Sequence, residues 1–471
     1  MFHRAAVLSI VFLILPAGLA TAWAEGITLE NFNPGETIRY PVAFLRGTIE
    51  DKSARGITVI NESSERPTKE LRGIVYKGRY KALTELVPGP NRLVLRAGSK
   101  DLKITLNYKP QTNPYYVEVI YMTDSSGNTK YQTQRRNDPQ NYQAKLDTDL
   151  KLLQSFTAEQ MNQLGFGRLT FNLKFDKDGR LEVHKLVSEH AADFFYPLDT
   201  VQLFLAIRGE VEKTFNSPRT KRAVYTAFSR YDPLQNKLVA NNARGGGGTA
   251  ECGTAGMWTW PSSLGGVFAA FSDRTPINTR IVGDDSDGRG TAWGMAATYM
   301  AVMLHELQHT WELPHTHNPY DVISGRGFKD INRFFTFLEP PCKSNPRYFA
   351  PPQSQASCIA AISGSALKNS RWFALDDKPW KDGDAPRFSA YGKEGDILIE
   401  AKHGLGYLGL DVKGDTVAFE TWGYDHPKPP TRYRLTAREL RELTGTTDVK
   451  IRAFDLEGQK TETEAKKLGG K

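Results

Sequence analysis

Four of the nine histidines fall in one short stretch, His305-Glu306-Leu307-Gln308-His309-Thr310-Trp311-Glu312-Leu313-Pro314-His315-Thr316-His317. His305 and His309 are four residues apart on a segment with helical patterning, so their rings project from one face about one turn apart. That separation suits two nitrogens on one metal ion. Glu306, next to the first histidine, can reach a water at such an ion. Pro314 ends the helix and forces a turn, which lets His315 return as a third ligand. His317, two residues on, competes for that role. Three neutral imidazoles and a water make an open tetrahedral zinc site. Zinc brings a bound water toward a pKa of about 7, and Glu306 is the expected general base, passing the proton on to the leaving amine. The chemistry implied is peptide hydrolysis without a covalent intermediate.

Several elements must position these residues. Hydrophobic periodicity predicts one continuous helix over 292–311, and others over 141–164 and 201–215. Gly165 suits the position just past the helix over 141–164. Alternation predicts a strand over 169–175, and Asp176-Lys177-Asp178-Gly179 turns the chain into a hairpin partner. Arg244 and the four glycines after it read as a flexible loop. Short strands separated by turn residues fill the chain up to about residue 110. Strands return over 396–401, 407–412, 416–422 and 449–454, interrupted by a short helix with Thr436 and Glu439 as a capping box. The expected fold is α+β. A metzincin-like catalytic domain at 113–385 is flanked by β-sandwich-like modules at 25–112 and 386–456, after a signal peptide at 1–24 and before a flexible tail at 457–471.

The length of 471 residues and the composition, 39% hydrophobic and 24% charged, exclude a disulfide miniprotein, a coiled coil and a mostly disordered chain. The formal net charge of +8 is small for this length and is not gathered in one arm, so nucleic acid is not demanded. His3 and Arg4 precede an apolar run over residues 5–19, and Ala22-Trp23-Ala24 places small residues at the cleavage positions before Glu25. The run is shorter than the roughly 20 residues a membrane span needs. The expectation is an exported protein, secreted or periplasmic, with no stable membrane span after cleavage. That compartment permits disulfides. Of the three cysteines, Cys342 and Cys358 flank a Pro-rich loop and are the favoured pair. Cys252 can enter either of two other pairings.

The spacing of His305, His309 and His315 resembles the metzincin pattern HExxHxxGxxH. It departs from that pattern at Glu312, where the family has Gly, and at Ile323, where its methionine turn has Met. A wider resemblance runs through residues 153–161, 165–171, Gly256-Met257-Trp258-Thr259-Trp260-Pro261, Asp284-Asp285, Arg326-Gly327-Phe328, Asn332-Arg333-Phe334 and Gly404-Leu405-Gly406. These stretches are similar to the zinc metallopeptidase family best known from fungi. The resemblance implies peptidase chemistry and names no substrate. The three histidines call for one Zn2+ per chain, and the β modules suit a protein or glycoprotein substrate.

Other residues carry weaker signals. Asp284, Asp285 and Asp287 suggest a cation loop, but Gly283 and Gly294 fall where the EF-hand pattern needs ligands. Tyr320 is a candidate oxyanion donor. Trp258 and Trp260 suit a cleft or, more simply, a core. Nothing groups His184, His190, His403 or His426 with the triad. The competing reading is a binding protein with a weak or inactive zinc site and glycan- or protein-binding β modules. A third is metal-dependent hydrolysis of a non-peptide amide.

Overall fold

A computed structural model of the chain describes residues 26–392, 395–423 and 428–468, and the backbone of His3–Arg4 and Ala22–Ala24. The rest of the expected signal peptide lies outside the described residues, as does His426. The architecture is mixed α+β and rich in strands.

The central sheet positions the site. Its strand order is Val183–Val187, Tyr116–Thr123, Thr220–Thr226, Thr249–Gly253, Ala243–Gly246. The first four strands are parallel and the last is antiparallel. Parallel neighbours need crossover connections, and the three inner strands are buried on both faces as a result. On one face Val119, Tyr121, Ala223 and Tyr225 pack with Leu146, Leu150 and Leu153 of the helix Tyr142–Gln163. On the other, Ile120, Met122 and Val224 pack with Leu203, Ile207 and Val211 of the helix Thr200–Thr214. Asn141 caps the first helix by accepting from Ala144 N at 3.1 Å, and Gly165 follows it at φ 83°.

Residues 244–248 are not the flexible loop their glycines suggest. Ala243–Gly246 pairs in register with Thr249–Gly253 and closes the sheet edge. The expected strand over 169–175 is absent; the segment makes only isolated bridges, Val117 with Leu173 and Phe175 with Leu181. Its apolar residues Phe171 and Leu173 are buried all the same. The single helix expected over 292–311 is two, Ala292–Tyr299 and Val302–Thr310. Thr298 Oγ1 donates back to the Gly294 carbonyl at 2.9 Å just before the break, a bond that bends helices.

The N-terminal residues form a nine-stranded sheet, antiparallel except where Thr37–Ile38 pairs with Lys100–Tyr108. It is joined to the central part by shared apolar core, with Val42, Phe44 and Leu83 in the same cluster as Phe156 and Phe334. It is also joined by buried polar groups. Lys81 Nζ donates to the carbonyls of Phe334 and Thr336 at 2.7 Å each. Glu159, 1% exposed, accepts from Arg168 Nε at 2.7 Å and Asn31 Nδ2 at 2.8 Å.

Toward the C-terminus, Asp415–Thr421, Leu405–Val412, Lys450–Asp455 and Lys460–Glu464 form an antiparallel sheet. The helix Ala437–Thr444 has the expected capping box. The expected flexible tail is corrected here. Residues 460–464 pair along Lys450–Asp455, and Ala465–Leu468 is helical. Lys-Thr-Glu-Thr-Glu has the two-residue period of a strand, and its charges find partners in Lys450 and Arg452.

The favoured disulfide is not formed; all three cysteines are free thiols. Cys358 is tied into an isolated bridge with Asp321, and its thiol donates to the Tyr320 carbonyl at 3.5 Å. Cys342 instead lies 3.4 Å from Ser344 Oγ.

Candidate metal centre

The helix Val302–Thr310 lies along the antiparallel edge of the central sheet. It presents His305 and His309 one turn apart, their ring centroids 5.5 Å from each other. Trp311 N and Leu313 N close the helix end by donating to Leu307 O and Gln308 O. Glu312 takes the turn at φ 65°, the left-handed region where the metzincin pattern has glycine. The turn brings His315 back. Its Nε2 lies 3.3 Å from His305 Nε2, and its ring centroid is 4.7 Å from that of His309. One nitrogen from each histidine falls within 4.8 Å of the others. Among the described residues this is the one group of His, Cys, Asp or Glu gathered closely enough to hold a metal ion.

The donor set fits zinc. Three Zn–N bonds of about 2.05 Å at tetrahedral angles place their nitrogens about 3.3 Å apart, the separation found between His305 and His315. His309 Nδ1 donates to the Leu313 carbonyl at 3.1 Å. A carbonyl can only accept, so the proton is on Nδ1 and Nε2 keeps its lone pair. Burial, reinforced by the neighbouring imidazoles, lowers His305 to about 3 and His309 to about 4. Both rings are therefore neutral at pH 7.

Glu306 is 7% exposed, and burial pushes its carboxyl up to about 7, against the opposing charge of Arg244 and the Gly245 N–H. Such a group exchanges a proton readily near neutral pH.

The turn after the triad is organised by a residue the sequence did not reveal. Asp321 is fully buried and accepts from Ile323 N at 3.0 Å and Ser363 Oγ at 2.7 Å. Burial outweighs these bonds and raises it to about 6. Ile323, read from sequence as the counterpart of the methionine turn, is fully buried beside Val322 in the main core. Ser324 O accepts from Thr316 N at 2.9 Å, which fastens the turn to the ligand loop. Gly245, on the edge strand, was hidden within the glycine run. A Cβ there would stand 1.9 Å from the Glu306 carbonyl oxygen and 3.1 Å from His309 Cβ.

The other candidates lie elsewhere. His317 is outside the nitrogen cluster, with Nδ1 3.6 Å from Asp415 Oδ2. The acids of the suspected cation loop are engaged separately, Asp284 with Ser286, Asp285 with the Tyr299 hydroxyl and Asp287 with Lys329. Trp258 and Trp260 are core residues. His190 stacks on Phe194, His184 lies 3.7 Å from Glu118, and His403 3.8 Å from Asp384. Tyr320 is half-buried, its backbone N–H donating to Asn318 Oδ1 at 3.0 Å.

A helix carrying two histidines and a glutamate beside an antiparallel sheet edge, with a third histidine returned by a turn, is a metallopeptidase arrangement. The model of a family described as "Putative peptidase family" matches residues 26–396, and the chain belongs to that family. It is 27% identical over 461 residues to a "Putative zinc metalloproteinase" of Schizosaccharomyces pombe, covering 91% of this chain and 73% of the relative. A protein of the same description from Saccharomyces cerevisiae is 23% identical over 352 residues, covering 67% of this chain and 50% of the relative. Among solved structures, wild-type OgpA from Akkermansia muciniphila is 14% identical with a TM-score of 0.46, covering 75% of this chain and 92% of that one. Catalytically inactive OgpA in complex with an O-glycopeptide gives 15% and 0.45, with coverage of 75% and 92%.

Proposed function

We propose that this chain is an exported zinc-dependent endopeptidase in which His305, His309 and His315 hold the metal and Glu306 is the general base. The observation that supports the reading best is the convergence of three imidazole nitrogens beside a buried carboxyl raised toward neutrality. Zinc in that position supplies a Lewis acid for the scissile carbonyl and lowers the pKa of the attacking water. The chain's own residues do the rest. His309 is held in the binding tautomer by the Leu313 carbonyl. Glu306 accepts the proton of the attacking water and delivers it to the leaving amine. The edge strand Ala243–Gly246 has one side unpaired in the central sheet, so an extended peptide can add to it there.

Cleavage of the signal segment after Ala24 and the division into parts at 25–112, 113–385 and 386–456 belong to the same proposal. No helix among the described residues is long and apolar enough to cross a membrane. The test is Glu306→Gln in the zinc-loaded protein, assayed on an unbiased peptide library. Loss of cleavage with zinc retained supports the reading. Wild-type protein that binds zinc, cleaves nothing in the library and binds glycan or protein through its β-rich parts would favour the binding-protein alternative.

A further inference from the structure

The ligand loop from residue 312 to residue 317 is held at three points by the C-terminal sheet, which lies largely beyond the segment matched by the family model. Lys460 Nζ, on the strand read from sequence as tail, lies 2.5 Å from Glu312 Oε2. The carbonyl of His315 accepts from Thr416 N at 3.3 Å, and His315 pairs with Asp415 as an isolated parallel bridge. The Asp415 carboxylate lies 3.6 Å from His317 Nδ1. Lys460 and Asp415 stand on different strands of that sheet, with two strands between them, yet reach the same six residues.

Glu312 is the unusual member. At φ 65° a side chain with a Cβ is strained, and glycine would adopt the conformation freely. A glutamate in such a position needs a compensating interaction. Its carboxylate faces the Lys460 ammonium, and its charge also acts on the half-buried Lys221, whose own ammonium sits over the Trp372 ring at 4.7 Å.

We infer that Glu312 and Lys460 are positioning residues for the third ligand: the strained glutamate is a tether that fastens the His315 loop to the C-terminal sheet, making that sheet part of the metal centre. The inference rests on the reading of His315 as a ligand. It predicts the opposite sign from strain alone. Glu312→Gly relieves the backbone and removes the tether. If strain were all that mattered, the glycine variant would hold metal as well as the wild type or better.

The experiment follows zinc release from the full-length, zinc-loaded protein into excess chelator, together with the visible spectrum of the cobalt-substituted protein. Glu312→Gly, Glu312→Gln and Lys460→Gln are each expected to release zinc about two- to five-fold faster, the scale of a half-exposed ion pair, and to shift the cobalt bands. Lys460→Arg should stay near wild type in both. A charge swap is unsuitable, because a lysine at 312 would face Lys221. Lys466→Gln, which loses an exposed pair with Asp448 just outside that sheet, should change neither readout. Wild-type release and spectra in Glu312→Gly and Lys460→Gln would overturn the tether. A wild-type protein that takes up no zinc, or one that keeps its zinc when His315 is replaced, would overturn the underlying ligand reading instead.

Discussion

Gly245 lies against the helix that carries His305 and His309 so closely that a single added Cβ would stand 1.9 Å from the carbonyl oxygen of Glu306. The neighbour it meets is backbone, which has no rotamer to move. Gly245→Ala must therefore push the edge strand and the helix apart, and overpacking of this kind costs about 1–3 kcal/mol. The displaced groups are Glu306, the proposed general base, and His309, so activity should suffer more than stability. We expect kcat/KM to fall at least about tenfold with a modest drop in Tm. Unchanged activity in the alanine variant would mean the strand is free to shift and does not set the position of Glu306 and His309.

The two histidines after Pro314 separate cleanly by their partners. His315 Nε2 is 3.3 Å from His305 Nε2, whereas His317 faces Asp415. His315→Ala should lower zinc affinity by more than about a hundredfold, beyond the 10–100-fold typical of losing a group that only orients a ligand. His317→Ala should change it little. Competition titration against a chelator of known affinity measures both. The reverse order would assign the third ligand to His317.

The candidate site was legible because its chemistry is local. His305, Glu306, His309 and His315 sit within one helix and one turn, and helical spacing is enough to bring the first two histidines onto one face. What surrounds them was not legible, because it arrives by non-local pairing. Gly245 is hidden in a glycine run whose composition suggests a flexible loop, and only sheet pairing makes it an edge strand. Lys460 sits in a stretch whose charge masks its two-residue period. Glu312 could be seen to replace a glycine, and the left-handed backbone it adopts is the strained outcome that substitution implies. Its partner could not be read from the sequence. The break between Tyr299 and Val302 was likewise invisible to periodicity, since the apolar pattern runs straight through it.

Glu306 also links the site to pH. Burial raises its carboxyl to about 7 in the metal-free chain, above the roughly 4.3 of an exposed glutamate. Between those values the folded state holds more protons than the unfolded state. Its contribution to stability is thus full below about pH 4 and is lost as pH rises through 7. Glu306→Gln abolishes this dependence. The metal-free glutamine variant should be more stable than metal-free wild type at pH 8, and the gap should close toward pH 4. Denaturant unfolding at a series of pH values reads it directly. A gap that is constant across pH would show that Glu306 ionises in the folded state as it does in the unfolded one.

Arg168 joins the N-terminal sheet to the long helix Tyr142–Gln163. Its guanidinium donates to Glu159, to Glu36 and to the Asn31 carbonyl, and its face covers the Phe32 ring. Removing it strands the Glu159 carboxylate, which is almost fully buried. Breaking a buried pair on one side typically costs about 3–5 kcal/mol, whereas replacing both partners by neutral groups of similar size costs far less. Arg168→Met should therefore lower the unfolding free energy by about that amount, and Arg168→Met with Glu159→Gln should recover a large part of it, because Asn31 and Tyr40 can still hydrogen-bond a neutral amide. Equal destabilisation by the single and double variants would show that the cost lies in the lost packing on Phe32, not in the uncompensated charge.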